Sequence, residues 1–299
     1  MTGDTEESLP PVPPWSDEKL DVLRCYLGVI SANPAAFRGG RGRPGGFMLA
    51  TRSARARYYV DLFAGSGRGR HEITKEAIDT SPALALKAGP PEFTAMFWVE
   101  KDPTNIKSLQ VIRDSHPDKR ITILEGDANE RVDDLLRLIP HDGPVLTFLD
   151  PWSTQLDWRT VELLAERNAT AYKFELLILF AYNMSHARLM PRDPSRMTEA
   201  LEAKLDAFMP SPERWRKIYL RRPVLTADEY RRAILGEYLD GLRRLGYRYV
   251  PEPRLIHDYD RRPLYFLVFA TSHEAGERVM THCFSNVRPQ GRRQRLPGL

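Results

Sequence analysis

Four acidic residues stand where apolar runs end. Asp61 closes "YYVD", Glu100 closes "AMFWVE", Asp127 follows "ITILEG" and Asp150 closes "VLTFLD". Carboxylates at the ends of successive strands accept hydrogen bonds from hydroxyls and amines and give a cationic ligand its counter-charge. Beyond the first acid, Gly65, Gly67 and Gly69 alternate in "AGSGRGR". Glycine lets a backbone come close to a ligand. At the last acid, Asp150-Pro151-Trp152 sets a carboxylate, a constrained turn and an aromatic ring in succession.

Two cofactor classes carry an adenosine ribose for an acid such as Glu100. A dinucleotide site wants G-x-G-x-x-G opening directly into a helix, with the ribose acid ~20 residues further on. Here the glycines run G-S-G-R-G, the next helix signal is Ser81-Pro82, and Glu100 lies 35 residues after Gly65. S-adenosylmethionine (SAM) has no pyrophosphate to cradle, and its ammonium and sulfonium suit an acidic floor. The spacing therefore favours SAM over NAD. The expected cofactor set is Asp61 under the methionyl end, Gly65 and Gly67 for close backbone approach, Glu100 for the ribose hydroxyls and Asp127 for the adenine amino group. Phe63, Lys101 and Ala128 complete it.

Asp150, Pro151 and Trp152 are the expected catalytic stretch. They resemble the [DNS]-P-P-[YFW] motif of amino-group methyltransferases, with the second proline missing. In that motif the acid or amide and a backbone carbonyl hold the target amine, and the aromatic stacks on a planar acceptor. Positioning is most of such catalysis, because the donor is already activated.

These residues need a frame. Strand-like runs start at Tyr58, Ala95, Ile121, Val145 and Glu175, with helix-like stretches from Ser81, Pro103, Asn129 and Asp157 between them. That alternation predicts βαβ units on a parallel sheet. Residues 184–246 read as a helical insertion, and "YRYVPEPRLI" with "LYFLVFAT" as an antiparallel hairpin. Ahead of the sheet, "SDEKLDVLRCYLGVISAN" reads as an amphipathic helix with Ser16 as N-cap, stopped by Asn33-Pro34. Residues 38–46 read as an arginine-glycine loop, 68–80 as an exposed connection and 257–262 as a hairpin turn rather than a metal site.

Composition bounds the class. The chain has 299 residues, a formal net charge of +4 and 28% charged residues, ordinary for a globular protein. No apolar run reaches the ~20 residues of a membrane span. Residues 1–15, acidic and proline-rich, are expected as a disordered lead, 16–285 as one domain, and 286–299 as a basic tail. Cys25 and Cys283 suggest no disulfide framework, and a cytoplasmic location is expected. Residues 35–57 hold six arginines and no acid, and 184–250 hold 14 Lys+Arg against 9 Asp+Glu. Such asymmetry points to a polyanionic partner, nucleic acid foremost.

Taken in order, "YVDLFAGSGR", "SPALAL", "FWVEKDP", "LEGDANE", "FLDPWS" and "YFLVFATSHEAG" resemble the three-Cys-motif partner (TcmP) family over residues 17–285. The resemblance implies a Rossmann-like class I methyltransferase fold: a mostly parallel seven-stranded sheet with a C-terminal antiparallel hairpin. It also implies SAM as cofactor and a three-cysteine-motif protein of radical-SAM type as partner. Two readings stay open: a methyltransferase acting on nitrogen, and a SAM- or nucleic-acid-binding module that serves a partner without turnover.

Overall fold

The computed structural model describes residues 9–29, 46–47, 51–167, 172–182, 189–258 and 260–289. The arginine-glycine loop before residue 46 and the tail from residue 290 lie outside them.

The main sheet has seven strands. They are β2 (Tyr58–Asp61), β5 (Ala95–Glu100), β6 (Ile121–Glu125), β7 (Val145–Leu149), β8 (Glu175–Phe180), β9 (Arg254–His257) and β10 (Pro263–Ala270). Their spatial order is β6-β5-β2-β7-β8-β10-β9. The first five run parallel, while β10 lies antiparallel to both β8 and β9. Every residue of β2, β7 and β8 is buried. Strands covered on both faces are mostly apolar, and this is what made them legible as hydrophobic runs.

Helices cover both faces. On one lie α1 (Ser16–Leu27), α2 (Ser81–Leu86), α3 (Pro103–Asp114) and α9 (Glu274–Asn286). On the other lie α4 (Ala128–Leu138), α5 (Trp158–Glu166) and the insertion, α6 (Glu199–Phe208), α7 (Pro212–Leu220) and α8 (Ala227–Arg244). The starts of α3 and α4 are set by the acids themselves. Asp102 accepts from the Thr104 N–H at 2.7 Å, with Pro103 at the first helical position, and Asp127 accepts from the Asn129 N–H at 3.0 Å.

Four expectations are corrected. The lead is not disordered to residue 15: Pro11–Val12 form β1, which pairs with β3 (Arg68–His71), itself paired with β4 (Ala77–Asp79). The stretch 68–80 is therefore a hairpin of a small second sheet, with residues 72–76 between its arms exposed as expected. Trp15, not Ser16, stands at the cap of α1, and the helix ends earlier than Asn33-Pro34, at Gly28, whose φ of 73° closes it in the left-handed region. Finally, Cys25 on α1 and Cys283 on α9 form a disulfide, with Cα atoms 5.7 Å apart. The hairpin turn after β9 is borne out: Asp258 accepts from the Arg262 N–H at 2.8 Å.

α1 is fixed over the sheet by more than the disulfide. Glu18 pairs with Arg254 of β9 at 2.5 Å, both nearly buried, and Asp17 Oδ2 lies 3.3 Å from Nε2 of His71 on β3. Tyr265 of β10 donates to the Trp15 carbonyl at 2.9 Å. Among the described residues no helix is long and apolar enough to cross a membrane.

Candidate cofactor and acceptor site

The strand order reverses between β2 and β7, so the crevice for a ligand lies over the carboxyl ends of these strands and their neighbour β5. A cavity of about 600 Å³ is there, within the size range of small-molecule sites. Phe63, Gly65, Glu100, Lys101, Asp127 and Ala128 all line it, and so do Asp150, Pro151 and Trp152.

Asp61 sits beneath this cavity, fully buried at the end of β2. Its carboxylate accepts from the Phe63 N–H at 3.2 Å and from the Tyr59 hydroxyl at 3.1 Å. Burial disfavours the charged form and pushes the Asp61 carboxyl up to about 7, helped by the nearby charge of Asp150.

The two glycines do different work. Gly65 has φ +62°, and a Cβ there would meet nothing within 4 Å. Its backbone is bare toward the cavity. Gly67 has φ +75°, but a Cβ there would lie 2.5 Å from Ile112 Cδ1. It does not line the cavity; its bareness lets the loop pack on α3. That corrects the expectation that both glycines face a cofactor.

Glu100 holds the loop together. Oε2 accepts from the Gly65 N–H at 2.7 Å, and Oε1 from the Lys101 and Asp102 N–H groups at 2.8 Å each. Lys101 reaches across to Asp127, Nζ to Oδ2 3.5 Å. Asn129, the second residue of α4, ties the β6 end to the loop after Trp152. Its amide donates to the Gln155 carbonyl at 2.7 Å and accepts from the Asp157 N–H at 3.0 Å and the Thr160 hydroxyl at 2.8 Å.

Asp150 ends β7. Its Oδ2 lies 2.5 Å from Nζ of Lys19 on α1, and the two side chains are 19% and 15% exposed. Trp152 is 65% exposed at the mouth. It is not core packing, and its ring is open to a planar partner. Ser153, next along, has φ 59°, a turn that throws the chain back toward Gln155, whose Oε1 accepts from the Trp152 N–H at 3.3 Å.

Sequence reasoning missed the roof. Val12, Trp15, Lys19 and Tyr265 line the same cavity. Lys19 lies on a helical turn, where a lysine facing inward reads like one facing solvent. The arginines of the insertion, by contrast, are largely occupied by local acids. Arg214 and Arg244 pair with Glu237, Arg216 with Glu202 and Asp206, Arg231 with Asp228, and Arg243 with Asp240. Among the described residues no group of His, Cys, Asp and Glu could hold a metal ion.

The strand order and the antiparallel β10 define a Rossmann-like fold of the class I methyltransferase type. No family model matches the chain, and no curated protein matches it. Solved structures of similar fold include a precorrin-6y C5,15-methyltransferase from Geobacter metallireducens GS-15. It is 11% identical, with 76% of this chain and 85% of that chain covered and a TM-score of 0.36. Aeropyrum pernix fibrillarin, crystallised with natively bound SAM, is 12% identical, with 72% and 66% covered and a TM-score of 0.37. Protein LPL1258 from Legionella pneumophila is 10% identical, with 77% and 82% covered and a TM-score of 0.45.

Proposed function

We propose that this chain is a SAM-dependent methyltransferase acting on nitrogen, with nucleic acid as the favoured acceptor. The observation that carries the cofactor is the order of groups along one cavity: Asp127 on the β6 end, Glu100 on β5, bare Gly65 on β2 and Asp150 on β7. An adenosine laid along that order meets a carboxylate for its amino group and one for its ribose. The amino-acid end then lies where the backbone carries no side chain. When bound, SAM supplies a methyl group activated on a cationic sulfonium.

The chain's own residues supply placement. Asp150 accepts from the acceptor's N–H and turns its lone pair inward; half-sheltered under α1, that hydrogen bond is stronger than one in open water. Trp152 offers its exposed face to a planar base. Trp152, rather than the arginines of the insertion, supports nucleic acid, since several of those arginines are paired with acids of α6 and α8. A three-cysteine-motif protein as working partner rests on the sequence resemblance.

The second reading is a non-catalytic accessory, and one observation favours it: the carboxylate meant for the acceptor is already paired with Lys19. Incubation with methyl-labelled SAM and pooled RNA or DNA separates the two. The methyltransferase reading expects label on nucleic acid, lost in Asp150→Ala while SAM binding persists. Binding of SAM and nucleic acid with no label transferred at any salt concentration gives the accessory reading.

A further inference from the structure

SAM carries an anion that the acidic floor cannot welcome. Its amino-acid end has an α-carboxylate beside the ammonium. The acids lining the cavity are Glu100, Asp102, Asp127 and Asp150, and the cations lining it are Lys19 and Lys101. A carboxylate entering among four others is most favourably placed beside one of those two lysines.

Sheet order decides which. Lys101 follows β5 and pairs with Asp127 after β6, with its side chain 52% exposed. That is the adenosine side. Lys19 meets the end of β7, on the far side of β2, and is 15% exposed. β6 and β7 stand three strand spacings apart, about 14 Å, too far for one ligand group to reach both lysines. We propose, on the SAM reading above, that Lys19 receives the cofactor's α-carboxylate.

The surroundings fit that task. The helix that bears Lys19 is held by the Cys25–Cys283 disulfide, the Glu18–Arg254 pair and the Asp17–His71 pair, so the ammonium is delivered to a fixed place. An ammonium has three donors. Lys19 keeps Asp150 with one and takes the carboxylate with another. The Thr80 hydroxyl, in a residue lining the same cavity, is buried without a hydrogen-bond partner among the described residues and is a further donor for the ligand.

The test compares SAM with decarboxylated SAM, which differs by the carboxylate alone, using calorimetry on the full chain. Lys19→Met is expected to weaken SAM at least tenfold, the size of a lost charge-assisted hydrogen bond, and to leave decarboxylated SAM within twofold. Lys19→Arg is expected to restore most of the affinity for SAM. Equal SAM affinity in Lys19→Met and wild type overturns the assignment. So does equal loss of both ligands, which would mark a structural role. If the wild type binds neither ligand, the SAM reading itself falls and takes the assignment with it; binding of both with no dependence on Lys19 leaves the SAM reading standing alone.

Discussion

The Gly65 N–H donates to Glu100 Oε2 at 2.7 Å, across 35 residues of chain. The glycine loop after β2 and the acid that ends β5 are therefore one unit. Glu100 also gathers the next two N–H groups of its own strand end. A carboxylate held by three backbone donors presents a fixed face to a ribose, and the loop it holds presents its bare glycine. Changing Glu100 disturbs both halves of the floor together.

Asp61 makes cofactor affinity depend on pH. Its folded-state pKa is raised, to about 7, so in the free protein it is largely protonated below neutrality. A cationic ligand above it favours the ionised form. Affinity for SAM should then rise between about pH 6 and 8 and level off above, with a proton released on binding near pH 6. Titrations in buffers of different ionisation enthalpy measure that proton directly. The same shift sets stability: the raised pKa gives a contribution that is full below pH ~4 and is lost as pH rises through about 7. Asp61→Asn should therefore gain on wild type as pH rises from 4 to 8, in denaturant melts.

Gly65 and Gly67 should separate binding from stability. Gly65→Ala meets no clash but sits at φ +62° and points into the cavity. It should cost about 1 kcal/mol of stability and weaken SAM. Gly67→Ala adds a contact of 2.5 Å with Ile112 Cδ1 to an unfavourable φ. It should cost about 1–3 kcal/mol, with near-normal SAM affinity in the protein that remains folded. Urea melts and calorimetry on both variants read the two effects.

The Cys25–Cys283 disulfide closes a separation of 258 residues. Chain-entropy reasoning gives such a link up to about 5 kcal/mol. Cys283→Ser should lower the melting temperature strongly, and a reductant should lower that of wild type but not of the variant. Two titratable thiols in the native, unreduced protein would contradict the bond.

The five parallel strands and the hairpin were legible because buried strands are continuous apolar runs, and the site was legible because acids punctuate them. Asp61, Glu100, Asp127 and Asp150 needed no tertiary information to be found. What was missed depends on contacts that no local pattern encodes. "PV" at 11–12 and "RGRH" at 68–71 have no apolar alternation, so β1 becomes a strand only through β3, and β3 through β1 and β4. Cys25 and Cys283 meet because α1 and α9 share a sheet face. Lys19 is turned toward Asp150, a contact 131 residues away that its place on the helix does not reveal.

The most direct test is calorimetric titration of the purified protein with SAM, with S-adenosylhomocysteine and NAD in parallel. Saturable binding of the first two, none of NAD, and a loss of tenfold or more in Glu100→Ala is the predicted result. No heat from SAM or S-adenosylhomocysteine at millimolar concentration, or equal affinity in Glu100→Ala, would contradict the assignment of this cavity to the cofactor.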